Sequence, residues 1–204
     1  ILAVTFLLIG SDRLFMTSEL AGILGWATVI LYNGFYTYWW KPKWIFAAIP
    51  GALPGALPVT MGYVANDPQW LSLDSVYLFL ILFLWQMPHF WCLALRFRED
   101  YRLGGVPTLP ASLGVHRTLY HTGLWTFLYV TIAVLSPWFV HASWVYLLAV
   151  VPVVYKIMQE FYRFYKSEAE QRWFAFFMWL NVSVLIFLFV PVIDRWSFLF
   201  IARG

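Results

Sequence analysis

The sequence predicts an all-α integral membrane protein, and three observations carry that prediction. Of 204 residues, 62% are hydrophobic and only 11% are charged, against about 25% charged in an ordinary soluble domain. So few charges cannot cover a water-facing surface. The apolar residues are gathered into runs long enough to cross a ~30 Å hydrocarbon core. The charges that do occur sit in short loops between those runs.

Taken in order, residues 1–10 are apolar from the first position, lack the basic leader region of a signal peptide and reach about halfway across such a core. The expectation is a partial span whose first part precedes Ile1. Residues 11–19 read as a polar turn. Residues 20–40 form a full span closed by Trp39 and Trp40, with Trp44 just beyond, an aromatic belt at headgroup level. Lys41, Pro42 and Lys43 make a tight basic loop.

The next span, 44–65, contains "PGALPGALP", with Pro50, Pro54 and Pro58 at intervals of four. Each proline removes a helix donor, which a membrane tolerates where neighbouring helices or cavity water satisfy the orphaned carbonyls. Gly51 and Gly55, and the row Ala48, Ala52 and Ala56, permit close helix approach. A kinked packing helix and a cavity wall both fit, and the two are compatible.

Residues 66–74 form a loop. Span 71–95 is interrupted by Pro88, and a charged loop occupies 96–117. Spans 119–140, 144–158 and 173–193 follow, the last two joined by a charged and aromatic arm. The total is about six full spans plus one partial, in a single domain covering 1–204. The lone Cys92 excludes an intrachain disulfide and reads as a small packing residue.

Alternating the loops between two sides puts Lys41, Lys43, Arg96, Arg98, Arg102, Arg117, Lys156, Arg163, Lys166 and Arg172 on one side, and Arg13, Arg195 and Arg203 on the other. The positive-inside rule makes the first side cytoplasmic in a bacterium, or the matrix side in a mitochondrion. The basic residues therefore report topology and not nucleic-acid binding.

Residues 85–110 concentrate the polar chemistry. At 100° per residue, Gln86, His89, Leu93, Arg96 and Asp100 fall in one stripe of a helix. Polar residues inside a span are costly and face a bundle interior or a wet cavity, so the stripe reads as the wall of a pocket opening at one membrane face. Lys and Arg around a carboxylate suit a phosphorylated substrate whose charge is partly held by Mg²⁺. A loop that merely sets topology explains the same charges. His89 fits either an interhelical hydrogen bond or a place beside a tetrapyrrole, for which Gln86, Phe90 and Trp91 form a flat, mostly apolar wall. Asn33 and Asn181 read as interhelical hydrogen bonds.

The stretch "LWQMPHFWCLALRFREDYRLGGVPTLP", preceded by "YNGFYTYWWKPKW" and "PGALPGALPVTMGY", resembles the UbiA-type intramembrane prenyltransferases, and among them the branch that farnesylates heme. The resemblance runs from Ile1 to about Ile193. It implies a nine-helix bundle around a lipid-open chamber, with farnesyl diphosphate and heme B as substrates, Mg²⁺ bridging the diphosphate, and heme O as product for a downstream heme-modifying membrane enzyme. It further implies Asp100 as metal ligand, Lys41, Arg96, Arg98 and Arg102 as diphosphate contacts, Tyr36 near the allylic carbon, and His89, Gln86 and Trp91 toward the heme.

Two features depart from the family pattern. Its first Asp-rich motif has no counterpart here, so half of the metal site is expected outside this chain, and the chain alone is expected to be inactive. Gly104 stands where benzoate-prenylating relatives carry a second Asp, and Thr108 where Met is common. The rival readings are a UbiA-type enzyme with another acceptor, and a non-catalytic transporter or respiratory-complex subunit.

Overall fold

A computed structural model describes the backbone of residues 2–140 and 143–201. Its elements are α1 (Leu2–Thr17), α2 (Glu19–Val29), a π-helix (Ile30–Trp40), α3 (Lys41–Lys43), α4 (Ala48–Val64), α5 (Leu73–Arg96), α6 (Arg98–Leu103), α7 (Leu109–Phe139), α8 (Trp144–Lys166) and α9 (Trp173–Ile201). No strand occurs among the described residues.

The expected turn at 11–19 is helical as far as Thr17. Its hydroxyls bond back to their own helix, Ser11 to the Leu7 carbonyl at 2.7 Å and Thr17 to the Arg13 carbonyl at 2.9 Å, so the segment needs no water to stay wound. The chain breaks only at Ser18, whose extended backbone and side chain cap α2 by accepting from the Ala21 amide. The span expected over 20–40 changes winding midway, from α to π. The loop expected over 96–117 contains α6 and the first nine residues of α7, which bends at Gly114, where φ is +80°.

Among the described residues three helices are long and apolar enough to cross a membrane: Leu73–Arg96, Leu109–Trp138 and Trp173–Asp194. Helix α2 runs on into the π-helix, α4 has 17 residues, and α8 carries Lys156, Glu160, Arg163 and Lys166 in its second half.

Helix α5 is the axis of the fold. It packs against α4 on one side and against α7 and α9 on the other, while α2 rests on α1 and α4, and α8 on α7 and α9. The main core lies on the α7–α9 side and includes Ile81, Leu95, Tyr129, Tyr146, Ile157, Phe176 and Phe187. A much smaller cluster, built on Ala52, Met87, Trp91 and Leu109, closes the α4 side. Beside it the packing opens.

Candidate active site

A cavity of about 390 Å³ lies between the π-helix, α4, α5 and the loop that follows α6. That is within the range of small-molecule sites. Tyr36 and Lys41 come from one wall, Gly51 and Gly55 from α4, and Gln86, Phe90 and Trp91 from α5, while Tyr101 and residues 106–109 close the far side. Four residues expected from sequence to touch substrate thus share one space: Tyr36, Lys41, Gln86 and Trp91.

Glycine makes the α4 wall possible. The Tyr36 ring lies so close to Gly51 that a Cβ there would come within 2.5 Å of it, and a Cβ on Gly55 would overlap the Gln86 carboxamide. Gln86 is buried and donates from Nε2 to the Ala52 carbonyl at 3.2 Å and to the Leu82 carbonyl at 3.1 Å. A glutamine in an apolar span satisfies its donors this way, and it ties α5 to the proline-rich helix. Ala52, Pro54 and Ala56 are buried while Gly51 and Gly55 line the cavity, so one helix serves both of its expected roles.

The stripe predicted from Gln86 to Asp100 does not persist. His89 lies about 60° round the helix from Gln86, on the side away from Phe90, Trp91 and Ala94, which continue the cavity wall. Its ring meets Trp85 at 4.5 Å and Phe177 of α9 at 4.8 Å, and its Nδ1 has no hydrogen-bond partner. Helix α5 then ends at Phe97, where φ is −104° and ψ is 26°, so Asp100 belongs to α6 and not to the α5 line.

Asp100 is exposed, next to Tyr101 at the cavity edge. Arg96 stacks over Trp173 at 5.5 Å and Phe97 at 5.8 Å. Arg98 is exposed. Arg102 is held by Glu99 through two hydrogen bonds, at 2.5 and 3.0 Å, and that pairing keeps the Glu99 carboxyl below the usual carboxylate range. None of Arg96, Arg98 and Arg102 lines the cavity. Among the described residues, Lys41 is its one lysine or arginine.

Among the described residues no group of three or more His, Cys, Asp or Glu side chains could hold a metal ion. Asp100 alone fits as one oxygen ligand to a Mg²⁺ carried by a diphosphate, and not as a resident site. Sequence reasoning missed Tyr32, Trp44 and Tyr101 as lining residues. The spacing of Tyr32 and Tyr36, four apart on one helical stretch, was the signal available for the first.

The chain matches the UbiA prenyltransferase family over residues 1–182 and belongs to it. It is 57% identical over 201 residues to "Protoheme IX farnesyltransferase" of Bdellovibrio bacteriovorus, covering 98% of this chain and 69% of that protein. It is 30% identical over 189 residues to "Protoheme IX farnesyltransferase 1" of Bacillus subtilis, covering 91% and 59%. A third relative, "Protoheme IX farnesyltransferase 1" of Lysinibacillus sphaericus, is 37% identical over 136 residues, 67% of this chain and 44% of that protein. No solved structure matches.

Proposed function

We infer that this chain carries the substrate chamber of a protoheme IX farnesyltransferase, which moves a farnesyl group from farnesyl diphosphate to a vinyl group of heme B and yields heme O. The observation that supports this most is the cavity itself: an apolar, aromatic-walled space with Lys41 and Tyr36 on one wall and Gln86 and Trp91 on another. A greasy isoprenoid with a charged head needs that division. The names of the three relatives support the choice of substrates.

In this reading Lys41 and Asp100 attend the diphosphate, Lys41 as a counter-charge and Asp100 as one ligand of the accompanying Mg²⁺. Arg96, Arg98 and Arg102 stand around the mouth and raise the local concentration of the anion. The C–O bond of the diphosphate ester breaks with its electron pair leaving on oxygen, and the vinyl π electrons form the new C–C bond to the allylic carbon. Water then adds to the resulting cation and loses a proton, leaving the hydroxyethylfarnesyl group. Tyr36 lies against the allylic carbon, while Gln86 and Trp91 meet the macrocycle. His89 joins the heme side only where the ring reaches the α5–α9 flank, through its unpartnered Nδ1. The ten-to-three bias of Lys and Arg supports a chamber mouth on the cytoplasmic side of a bacterial inner membrane, or on the matrix side of a mitochondrial one.

The test is chromatographic conversion of heme B by the full-length protein. Asp100→Asn is expected to abolish heme O formation while membrane insertion is unchanged, and wild-type turnover in that variant refutes the metal role. For His89→Ala the expectation is weaker heme retention in detergent, whereas an unaltered heme titration assigns that ring to helix packing.

A further inference from the structure

The winding of residues 30–40 has a consequence for the chamber. This segment is a π-helix of 11 residues, whereas π-type bonding usually occurs as single-turn bulges, often at functional sites. The pattern extends to its ends and side chains: the Lys41 amide donates to the Tyr36 carbonyl, five residues back. The Thr37 hydroxyl likewise donates to the Tyr32 carbonyl at 2.8 Å.

Winding decides which side chains share a face. Tyr32 and Lys41 are nine residues apart. In an α-helix of 3.6 residues per turn that separation is about two and a half turns, so the two would point to opposite sides. With i→i+5 bonding a turn takes about 4.4 residues, nine residues make about two turns, and the side chains align. The cavity shows this outcome, for Tyr32, Tyr36 and Lys41 all line it. The two tyrosine rings sit 5.5 Å apart at an interplanar angle of 36°.

We propose that Tyr32 is a further residue of the reaction site, brought into line with Tyr36 and Lys41 by the π winding, where the face of its ring lies along the prenyl group and stabilises the positive charge that develops as the diphosphate departs. An aromatic face attracts a cation through its quadrupole, and more strongly where water is excluded. Lys41 draws the leaving anion while the two rings face the carbon it leaves behind, so one helix face meets both halves of the separating charge. No bond to Tyr32 forms or breaks. The inference rests on the prenyl-transfer reading and adds a residue and a local geometry to it.

The experiment uses the full-length protein with Tyr32→Phe, Tyr32→Leu, and phenylalanine at position 32 carrying one, two or three ring fluorines. It reads kcat for heme O formation, the dissociation constant of farnesyl thiodiphosphate and Tm. The expected results are near-wild-type kcat for Tyr32→Phe, a fall of about tenfold for Tyr32→Leu, and a stepwise fall with each fluorine at constant Tm. Binding of the thiodiphosphate should move less than twofold throughout, a split that a merely structural role would not produce. A flat fluorine series overturns the proposal even if Tyr32→Leu fails to fold. So does a Tyr32→Phe variant as impaired as Tyr32→Leu, which would assign the role to the hydroxyl. If the wild-type protein forms no heme O from heme B and farnesyl diphosphate, the prenyl-transfer reading itself fails. If it does and the fluorine series is flat, only the role of Tyr32 fails.

Discussion

The two flanks of α5 treat polar groups in opposite ways. Toward α7, α8 and α9 the buried tyrosine hydroxyls and the Trp85 indole are bonded internally, with His89 Nδ1 as an exception: the Tyr77 hydroxyl bonds the Tyr146 hydroxyl at 2.9 Å and donates to the Phe187 carbonyl at 3.0 Å. The Tyr129 hydroxyl meets Ser183 at 2.9 Å, and Trp85 donates to the Leu180 carbonyl at 3.0 Å. Nearer the end of α8 the rings of Phe161 and Phe164 pack on Phe176 of α9 at 5.3 and 5.6 Å. Toward α4 the buried cluster is small, two glycines remove side-chain bulk, and Tyr32, Tyr36 and Lys41 border open volume. The first flank is built to hold and the second to receive. A buried polar pair fixes register and stiffness, whereas a polar group left at a cavity wall keeps its capacity for a ligand.

Four substitutions sharpen that contrast. The largest effect is expected from Gly55→Ala, because the new methyl must displace the Gln86 carboxamide. Shifting a wall by about 1 Å can cost on the order of a hundredfold in rate, so heme O formation should fall by that order, measured as kcat/KM. Lys41→Ala comes next, with the KM for farnesyl diphosphate raised about tenfold for the loss of a charge-assisted contact; an unaltered KM counts against phosphate contact.

On the other flank, Tyr77→Phe should leave the KM values unchanged and cost about 1–2 kcal/mol of stability, because it strands buried partners. Thermal unfolding in detergent reads that loss. The smallest effect concerns the α8–α9 turn, where the Glu160 carboxylate is shared by Lys156 at 2.9 Å, Arg163 at 3.1 Å and Arg172 at 3.5 Å. Burial pushes that carboxyl up, but the Lys156 hydrogen bond and the three cations outweigh it and hold it below the usual range. A depressed carboxylate stabilises the fold above its unfolded value, about 4.3, and the contribution is lost as pH falls through the lower folded value. Tm should therefore drop between pH 5 and 3 by a few degrees more in the native protein than in Glu160→Gln.

Much of this contrast was legible in the sequence. Composition and the length of the apolar runs together pointed to a helical membrane protein, and the glycines beside Pro50 and Pro54 marked α4 as a surface for close approach. That Tyr36, Lys41, Gln86 and Trp91 share one cavity was legible in part: Gln86 as a polar residue inside an apolar run, Trp91 as part of a flat wall beside it, Lys41 as a cation at the end of a span, and Tyr36 through the family resemblance. The winding was not legible. A fixed 100° per residue kept Tyr32 and Lys41 on opposite sides, and only a change to i→i+5 bonding unites them. The same fixed angle drew His89 and Asp100 into one stripe, which the turn at Phe97 and the ring contacts with Trp85 and Phe177 undo. Local periodicity does not report where a helix stops or changes pitch, because those depend on what packs against it.

The most direct measurement is photolabelling of the full-length protein with a farnesyl diphosphate analogue carrying a photoreactive group near the diphosphate, followed by mapping of the adducts. The account predicts adducts in 32–55 and 86–109, competed away by farnesyl diphosphate. Competed adducts confined to α7, α8 and α9 would contradict it.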